Sequence, residues 1–417
     1  MANSNPDVLS VKEAPEPAPS CQRAWPSICV VGPGWRFTSG ISYYTCRLVK
    51  AAAQDHNVSV IQLRQLLPRF LYPGRRRVGQ PRTRMGYPPD VPVYDGVNWW
   101  WGASLLRALS FIRSNRPKVL VLQWWTATAL HTYLMLGMMA RLQGARVVIE
   151  MHETQDPDEA CYPVIRHYCR WGLRLLLRLC HGCVVHSMAD FRSLENGYKT
   201  ERLRLTVARH GPYDQYNLAE VASSEEDPVI AAVKAAPRPG AVNLLFFGLI
   251  RPYKGLEDLL AVFNDLSERE AAGLWLTIVG ETWGSYSEPR LLIEESPHRG
   301  RITFVNDYVP DEVVRAAFSH ADVAVLPYLR SSGSGSLHVA MSWGLPVVVS
   351  DVGGLREAAG DYEGAVFVPP RNREALKAGI EDAVKMAGRR FTDPRDWGEV
   401  IDALVYAADA EPRGREL

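Results

Sequence analysis

The sequence predicts an α/β protein with two domains, each built on a parallel sheet, that face each other across a cleft. Short apolar runs alternate with helical patterns through both halves of the chain, and this alternation requires parallel strands joined by right-handed crossovers. The 417 residues exceed the roughly 250–300 at which a single core stops growing. Glycine loops follow the first strand of each half, at Gly32 and at Gly248. We therefore expect a ligand between the domains, beside the carboxyl ends of the strands.

Composition argues against several other classes of protein. The net charge of +1 gives no general attraction to nucleic acid. The seven cysteines are an odd number, and no secretory signal precedes them, so we expect a reduced, cytoplasmic protein. Cys180-His-Gly-Cys183 has no second CxxC pair, so the sequence does not favour a zinc site. No apolar run reaches the roughly 20 residues of a membrane span.

The pattern divides the chain into five segments. Residues 1–22, rich in Pro, Ala, Ser and Glu, are predicted to be a disordered tail. Residues 23–215 are the first α/β domain, and residues 216–240 have the composition of a linker. Residues 241–392 are the second α/β domain. Residues 393–417 are a last helix followed by a tail.

Apolar, β-rich runs mark the strands of both halves. The predicted strands are Ser27–Val31, Val58–Leu63, Val119–Leu122, Ala145–Ile149, Val184–His186, Leu205–Ala208, Leu244–Phe247, Trp275–Val279, Ile302–Val305, Ala324–Leu326, Val347–Ser350 and Val366–Val368. The loop GPGWRFTSG after the first strand is neither a Walker loop nor a complete dinucleotide fingerprint, because Phe37 stands where the third glycine belongs. Two interpretations of this loop remain open: it leads into a helix N-terminus that faces an anion, or it is a generic tight turn.

Two groups of arginines are conspicuous in the first half. No Asp or Glu occurs from His56 to Pro89, whereas seven arginines fall between residues 64 and 84. This segment is either a solvated basic loop or a patch for anionic lipid headgroups or a phosphate-bearing acceptor. Arg170, Arg174 and Arg178 lie on one helix face, which suits an anionic membrane surface or, by a slight preference, ion pairs with acids elsewhere.

Two positions suggest contact with a ligand. His152 follows the carboxyl end of a central strand, where α/β sheets place ligand-binding groups, although a structural histidine is equally compatible with that position. In LLFFGLIRPYKGLEDLL, a strand, a glycine turn and an amphipathic helix surround Arg251 and Lys254. These two cations are placed to meet a diphosphate, the alternative being solvated loop charges.

Several segments together resemble the retaining glycosyltransferases of family four, which have the GT-B fold of two Rossmann-like domains. FFGLIRPYKGLEDLL, LTIVGE, ITFVNDYVPDEVVRAAFSHADVAVLPY and AMSWGLPVVVSDVGGLREA carry the likeness in the second half. GPGWRFTSGISYYTCRLVKAA, VVIEMHET, VVHSMADFRSL and ARHGPYD carry it more loosely in the first. The resemblance covers about residues 27–400.

The resemblance implies an enzyme that moves a sugar from a nucleotide-diphosphate sugar, a UDP- or GDP-sugar, to an acceptor hydroxyl with retention of configuration. It implies an acceptor domain before the linker, a donor domain after it, and a last helix that crosses back to the first domain. Arg251 and Lys254 would neutralise the leaving diphosphate, so neither a metal nor a cofactor is implied, and His152 would contact the transferred sugar. The implied donor-binding residues are Gly34, Gly248, Arg251, Lys254, Glu281, Asn306, Val309, Ser334, Gly335, Ser336 and Leu337. The implied acceptor residues are Trp35, Gly40 and Glu153.

One departure from the family is informative. The family usually has two glutamates eight positions apart around its glycine-rich phosphate loop, and the second grips the ribose. Ser331 and Val339 occupy these positions here. We therefore expect the loop to bind phosphate through the backbone amides at a helix N-terminus, with a different recognition of the ribose.

Three other functions remain open. A nucleotide-sugar 2-epimerase uses the same two-domain fold, and a non-catalytic nucleotide- or glycan-binding module fits the missing glutamates. An oxidoreductase is the weakest alternative, because the third glycine is absent. The acceptor class is open between a glycan, a lipid-linked molecule and a secondary metabolite. The arginine-rich segment suggests peripheral contact with the inner face of an anionic membrane.

Overall fold

The computed structural model describes residues 27–34, 40–66, 86–152, 163–214, 216, 228–234, 240–284, 286–331 and 333–409. Predictions made for residues 1–22, for Trp35, for Glu153 and for most of the arginine-rich segment lie outside these residues.

The first half of the chain forms a seven-stranded parallel sheet in the order β3-β2-β1-β4-β5-β6-β7. Its strands are β1 (Ile28–Pro33), β2 (Val58–Gln65), β3 (Val93–Asn98), β4 (Val119–Trp124), β5 (Arg146–Met151), β6 (Gly182–Val185) and β7 (Arg204–Val207). Its helices are α1 (Gly40–Ala52), α2 (Gly102–Asn115), α3 (Leu130–Leu142), α4 (Pro163–Leu179) and α5 (Met188–Gly197). Alternate residues of β1 enter opposite cores: Val30 packs with α1, whereas Val31 packs with α2, α3 and α4.

The second half forms a six-stranded parallel sheet in the order β10-β9-β8-β11-β12-β13. Its strands are β8 (Val242–Phe247), β9 (Leu274–Val279), β10 (Ile302–Val305), β11 (Val323–Leu326), β12 (Val347–Ser350) and β13 (Ala365–Val368). The helices are α6 (Pro228–Lys234), α7 (Leu256–Asn264), α8 (Glu268–Ala272), α9 (Glu288–Glu294), α10 (Asp311–Ser319), α11 (Gly335–Ser342), α12 (Gly353–Ala359), α13 (Arg373–Val384) and α14 (Trp397–Ala408). The predicted pair of parallel α/β sheets is thus confirmed.

The structure adds two elements to the predicted set. Every predicted strand is observed within two residues of its expected ends, but β3 was not predicted. Its sequence VYDGVN contains Asp95 and Gly96, which are depleted in strands, and β3 lies at the edge of the sheet. The predicted linker contains the helix α6, which packs against α10.

Both sheets reverse their strand order near the middle, between β1 and β4 and between β8 and β11. Crossovers on the two sides of such a point leave in opposite directions, which opens a crevice at the carboxyl ends of the strands. The predicted site residues Gly34, His152 and Gly248 follow the strands β1, β5 and β8 that border or neighbour these points.

The last helix joins the two sheets. α14 follows the second domain in sequence but packs against β5, β6, β7 and α1 of the first. Gly182 in β6 has no side chain at this contact, and a Cβ atom there would lie 2.2 Å from the carbonyl oxygen of Ala407. The absence of a side chain therefore allows the helix backbone to lie directly on the strand.

We predict that Gly182→Ala lowers the stability of the protein, because the added methyl group must push α14 away from β6. Overpacking of this kind costs about 1–3 kcal/mol. Gly197→Ala is the matched control, since nothing lies within 4 Å of a Cβ atom at Gly197. Urea unfolding of both variants checks the prediction, and equal midpoints for the two would contradict it.

Candidate functional site

Two cavities meet in the cleft between the domains. The first, here called the β8 cavity, is lined by residues that include Gly248, Lys254, Glu281, Val309 and Ser336. The second, here called the histidine cavity, is lined by residues that include His152, His186, His210 and His338. Gly40, Tyr213 and Gly335 line both, so the two cavities adjoin.

Glycines shape the loop that carries the two predicted cations. Gly248 has φ 119°, and Gly255 has φ 68°, conformations that side-chain-bearing residues rarely adopt. A Cβ atom at Gly255 would lie 1.9 Å from the carbonyl oxygen of Pro327. The one-turn 3-10 helix Pro252–Lys254 is therefore held against the loop that follows β11.

Lys254 is fixed at the wall of the β8 cavity. Its Nζ donates a 2.7 Å hydrogen bond to the hydroxyl of Tyr328 and lies 4.1 Å from the centre of that ring. The same hydroxyl is 3.1 Å from Oγ of Ser334, the residue that caps α11. The ammonium group and the N-terminus of α11 thus form one positively polarised edge.

Arg251 lies on the same loop but lines neither cavity. Its guanidinium group stacks over Trp283, with Cζ 4.6 Å from the ring centre. Its Nε is buried and has no hydrogen-bond partner. The structure therefore brings Lys254 to the cavity wall and keeps Arg251 beside it.

The N-terminus of α11 offers two of the three amides expected from the sequence. The Leu337 amide donates to Oγ of Ser334 at 3.3 Å, so it is already used in the cap, and the Leu337 side chain is fully buried. The Ser336 hydroxyl donates to the carbonyl oxygen of Phe247 at 2.8 Å. Gly335 and Ser336, in the first helical turn, keep amides that have no partner within the helix.

The predicted nucleoside side is formed in part. Glu281 and Val309 line the β8 cavity. Asn306 is exposed, and its Oδ1 accepts hydrogen bonds from the amide and hydroxyl of Thr282 at 2.8 and 2.9 Å. Asn306 therefore fixes the loop after β9, next to the cavity.

The two positions of the missing glutamates have separate surroundings. Val339 lines the β8 cavity, so the wall at this point is apolar. The Ser331 hydroxyl donates to the carbonyl oxygen of Gly333 at 2.6 Å and holds the loop before α11. Neither position supplies a charge to the cavity.

Four histidines from the two domains converge in the histidine cavity. His152 and His186 follow β5 and β6, and their ring centres are 4.9 Å apart. His210 stacks on His338 of the second domain at 4.2 Å between ring centres. Nε2 of His152 and Nε2 of His186 are buried and have no hydrogen-bond partner. Both nitrogens face a buried carboxylate, whereas the two residues themselves line the cavity.

A buried carboxylate lies beneath these rings. Glu150, on β5, accepts hydrogen bonds from the Tyr44 hydroxyl and from Gln123 Nε2, the latter at 3.2 Å. His152 Nε2 and His186 Nε2 lie 3.8 and 3.6 Å from its two oxygens. Burial alone raises its carboxyl pKa, but the neighbouring His152, with His186 and Tyr44, outweighs burial and lowers the pKa below its usual value.

The other histidines of the cavity are held in their neutral forms. Burial, with the charge of His152, lowers the pKa of His186 to about 4. Burial also lowers the pKa of His210 well below the usual range, and the neighbouring His338 adds to the effect. The pKa of His338 is lowered in the same way by burial and by the charge of Arg395. Neutral imidazoles can both donate and accept hydrogen bonds, which suits contact with sugar hydroxyls.

Glu150, His152 and His186 are also the one described group of side chains whose ligand atoms, all within 4.8 Å of each other, could hold a metal ion. Both carboxylate oxygens of Glu150 already accept hydrogen bonds, which fits an orienting role for this residue better than a ligand role. Cys180 and Cys183 are buried in the core, where burial raises the pKa of each thiol. This pair offers no thiolate to a metal.

Not every predicted contact residue reaches the cleft. Gly40 lines both cavities. Gly34 is buried against Gln62, so that a Cβ atom would lie 2.2 Å from this side chain, and it lines neither cavity. Trp35 and Glu153 lie outside the described residues.

Sequence reasoning missed most of the histidine cavity. His186 ends one predicted strand and His210 follows another by two residues, which was an available signal for a ligand site. His338 is buried in α11 and Arg395 lies in an irregular segment, where no motif marks them. Glu150 directly follows the predicted strand Ala145–Ile149 and lies within the observed β5, and no motif marks it as a site residue.

We predict that the protein loses stability as the pH falls from about 6.5 toward 4. In this window the unfolded chain binds protons that neutral His186 excludes, because its pKa is about 4 when folded and near 6.5 when unfolded. The contribution of His186 between pH 7.5 and 5 is about 2 kcal/mol. His186→Asn retains a donor to the Ala208 carbonyl and removes the titration. Urea unfolding at both pH values checks this, and an unchanged pH dependence in the variant would contradict it.

Comparison with known proteins adds to this geometry. Residues 233–399 match the family model described as glycosyl transferases group 1. Over 182 residues the chain is 34% identical to the GDP-mannose:glycolipid 4-beta-D-mannosyltransferase of Xanthomonas campestris pv. campestris, a match that covers 42% of this chain and only 50% of that protein. Over 433 residues it is 26% identical to the 2-deoxystreptamine N-acetyl-D-glucosaminyltransferase of Streptomyces fradiae, covering 95% of this chain and 93% of that protein.

The fold extends over nearly the whole chain. The structure of Anabaena HepE in complex with UDP superimposes with a TM-score of 0.58 at 12% identity, over 91% of this chain and 94% of that one. The two parallel-sheet, Rossmann-like domains are therefore arranged in the GT-B fold that the sequence predicted. Within that fold, residues 233–399 match the glycosyl transferases group 1.

Proposed function

We propose that the protein is a retaining, metal-independent glycosyltransferase that moves a hexosyl group from a nucleotide-diphosphate sugar to an acceptor hydroxyl. The observation that carries the proposal is the positive edge at the β8 cavity, where Lys254 is joined through Tyr328 and Ser334 to the N-terminus of α11. A diphosphate is the group that such an edge binds best. The match of residues 233–399 and the UDP complex of Anabaena HepE support the same ligand class.

The leaving diphosphate would lie against this edge. Lys254 would neutralise its developing charge, and the amides of Gly335 and Ser336 would donate to its oxygens. Arg251 would add charge from beside the cavity, after turning from its stack on Trp283. These groups supply the stabilisation that a bound cation would otherwise provide.

The transferred sugar would occupy the junction of the two cavities. His152, which lines the histidine cavity, would contact its hydroxyls. Glu150 would orient that ring, at 3.8 Å from Nε2. Gly40, which has no side chain and lines both cavities, would leave room for the acceptor.

Retention would follow from the groups beside the sugar. Asp190 is the carboxylate among the lining residues of the histidine cavity, and its Oδ2 accepts a 2.6 Å hydrogen bond from Ser187 within the cap of α5. It is therefore engaged structurally, rather than free to act as a base opposite the leaving group. The acceptor hydroxyl would attack from the side of the departing phosphate, which would take its proton.

The nucleoside would occupy the outer part of the β8 cavity. Glu281 and the loop around Val309 would border the base, while Val339 would face the ribose. Both UDP- and GDP-sugars belong in a donor screen, because the names of the mannosyltransferase and of the Anabaena complex specify different nucleotides. The relatives' names also place a glycolipid and 2-deoxystreptamine in the acceptor screen.

Incubation with a panel of UDP-, GDP- and TDP-sugars tests the reaction class. Release of nucleoside diphosphate that depends on an acceptor, with a product of unchanged anomeric configuration by NMR, is the expected result. A 2-epimeric sugar formed without acceptor would indicate a nucleotide-sugar 2-epimerase. Saturable binding without turnover would indicate a non-catalytic module, and an inverted product would overturn retention.

We predict that Lys254→Ala lowers kcat by on the order of 100- to 1000-fold, because loss of one group that stabilises developing charge has about this effect. Lys377→Ala is the matched control, since Lys377 is exposed on α13 and pairs with Glu270. Steady-state kinetics and donor titration check the prediction. Full transfer with unchanged donor affinity in Lys254→Ala would exclude this diphosphate site.

We predict that EDTA leaves the rate of transfer unchanged, because side chains and helix amides supply the positive charge at the leaving group. The rate is measured after exhaustive dialysis and again with added Mg²⁺, Mn²⁺ or Zn²⁺. Loss of activity that one cation restores would contradict metal independence. Glu150→Gln would then show whether Glu150, His152 and His186 hold that cation, because the variant would bind it more weakly.

A further inference from the structure

Three neighbouring helices of the first domain contain no acidic residue. α2, α3 and α4 together carry seven arginines and neither Asp nor Glu. The chain as a whole has a net charge of +1, so this layer concentrates positive charge that is balanced elsewhere. The helices α7, α10 and α13 of the second domain, in contrast, each begin with acidic residues.

The exposed face of α4 is both basic and aromatic. Arg170, Arg174 and Arg178 follow at a spacing of four and are exposed, so they form one strip along the helix. Trp171 and Leu175 form a second exposed strip beside it, and Trp171 exposes 65% of its surface. The opposite face is buried in the core of the domain.

The same composition continues onto the neighbouring helices. The C-terminal ends of α3 and α4 are tied together, because Arg141 donates a 2.7 Å hydrogen bond to the carbonyl oxygen of Leu179. Leu142 on α3 and Leu106 on α2 expose 77% and 68% of their surfaces. α2 in turn packs against α3. We call the exposed sides of these three helices the α2–α4 surface.

Five exposed arginines of this surface have no ion-pair partner among the described residues. In the part of the chain that the structure describes, Arg170, Arg174 and Arg178 form no ion pair, and neither do Arg107 and Arg113 of α2. The alternative of internal pairing, slightly favoured from the sequence, is therefore not observed for α4. Within the described residues, these cations without an ion pair lie beside exposed Trp and Leu side chains, a combination that suits a partner that is anionic and apolar at once.

We infer that the α2–α4 surface docks the protein on an anionic lipid bilayer. The arginines would contact headgroup phosphates, while Trp171, Leu175 and Leu142 would enter the boundary between headgroups and acyl chains. Among the described residues, none of the helices has the length and apolar character needed to cross a membrane. The contact would therefore be a peripheral one.

Two other partners fit this surface less well. A second copy of the chain in a symmetric dimer would place arginines against arginines, with no acid on the three helices to compensate them. A nucleic acid would satisfy the arginines, but it offers little to exposed aliphatic side chains such as Leu106 and Leu142. An anionic bilayer satisfies both features.

The α2–α4 surface is separate from the site of the proposed function. The helices cover one face of the first sheet, whereas the histidine cavity lies at the carboxyl ends of its strands and the β8 cavity at those of the second sheet. Docking through these helices would leave the cleft uncovered. The inference does not rest on the proposed transferase activity, so vesicle binding and donor turnover can fail independently.

Vesicle flotation tests the inference with the full-length protein. Wild-type protein is mixed with vesicles of phosphatidylcholine alone, or with 30% phosphatidylglycerol, in 0.1 M and 0.5 M NaCl. We expect binding only to the anionic vesicles, and weaker binding at the higher salt, because headgroup attraction is screened over a shorter distance.

Charge reversal on α4 gives the sharper result. Each basic residue near an anionic surface contributes about five-fold in partition, so Arg170→Glu, Arg174→Glu and Arg178→Glu combined reduce it by on the order of 100-fold or more. The matched control reverses three exposed arginines of the second domain, Arg269, Arg371 and Arg389, with the same change in net charge. We expect this control to keep most of the wild-type binding.

A second variant separates apolar insertion from charge. Trp171→Ser combined with Leu175→Ser keeps every arginine and is expected to lower the partition at both salt concentrations. Because all the changed residues are exposed, we expect each variant to fold as the wild type does. Circular dichroism melting checks this.

Several results would overturn the inference. The wild-type protein would fail to bind anionic vesicles, or would bind neutral vesicles equally well. Alternatively, the charge reversal on α4 and its matched control in the second domain would lose binding to the same extent. A concentration-dependent dimer that Trp171→Ser abolishes would assign the surface to a second copy. Binding to single-stranded RNA that is insensitive to Trp171→Ser, without vesicle binding, would assign it to nucleic acid.

Discussion

The relative position of the two sheets depends on the packing of α14 across the first domain. Trp397, at the start of this helix, lies 4.9 Å from the ring of Tyr44, and a Cβ atom at Gly211 would collide with its indole. Glu399 accepts two hydrogen bonds from Arg209. The core that contains Tyr44 and Trp397 continues into the second domain. Because the cavities lie between the sheets, this helix helps to set the distances across them, together with contacts such as the hydrogen bonds from the Met188 and Ala189 amides to Glu357.

The histidine cavity illustrates how a site can collect ionisable groups without accumulating charge. Glu150 is fully buried, yet two donors and two imidazole edges surround its carboxylate, and its pKa is lowered. Burial keeps His186, His210 and His338 in their neutral forms, so that their rings can pack against each other. A cluster of this kind presents several hydrogen-bonding nitrogens to a polar, uncharged ligand. In the β8 cavity, in contrast, Lys254 presents a cation at one edge, while Glu281, Asp307 and Asp311 line other parts of the wall.

The fold was predictable because its determinants are local. Apolar runs and glycine turns located twelve of the strands, and β3 was missed because Asp95 and Gly96 obscure its pattern. Lys254 was found because a strand, a glycine and a helix place it at a defined corner. The pairing of His210 with His338 joins residues 128 positions apart through the docking of two domains, which no spacing encodes. The cap that uses the Leu337 amide was also beyond the sequence pattern, since it depends on the rotamer of Ser334.

Lys254 in the cleft and the exposed arginines of α4 differ in how firmly their side chains are held. Each suits a different kind of ligand. Lys254 is fixed by Tyr328, which is itself joined to Ser334, so its charge occupies one position suited to a small diphosphate. Arg170 and Arg178 extend from α4 without partners in the described part of the chain, so their long side chains can adapt to a fluid layer of headgroups. Helices in parallel α/β sheets run opposite to the strands, so Arg178, in the last turn of α4, lies at the end of the layer away from the cleft. Positive charge at that end would draw the protein to a membrane without competing for the nucleotide in the cleft.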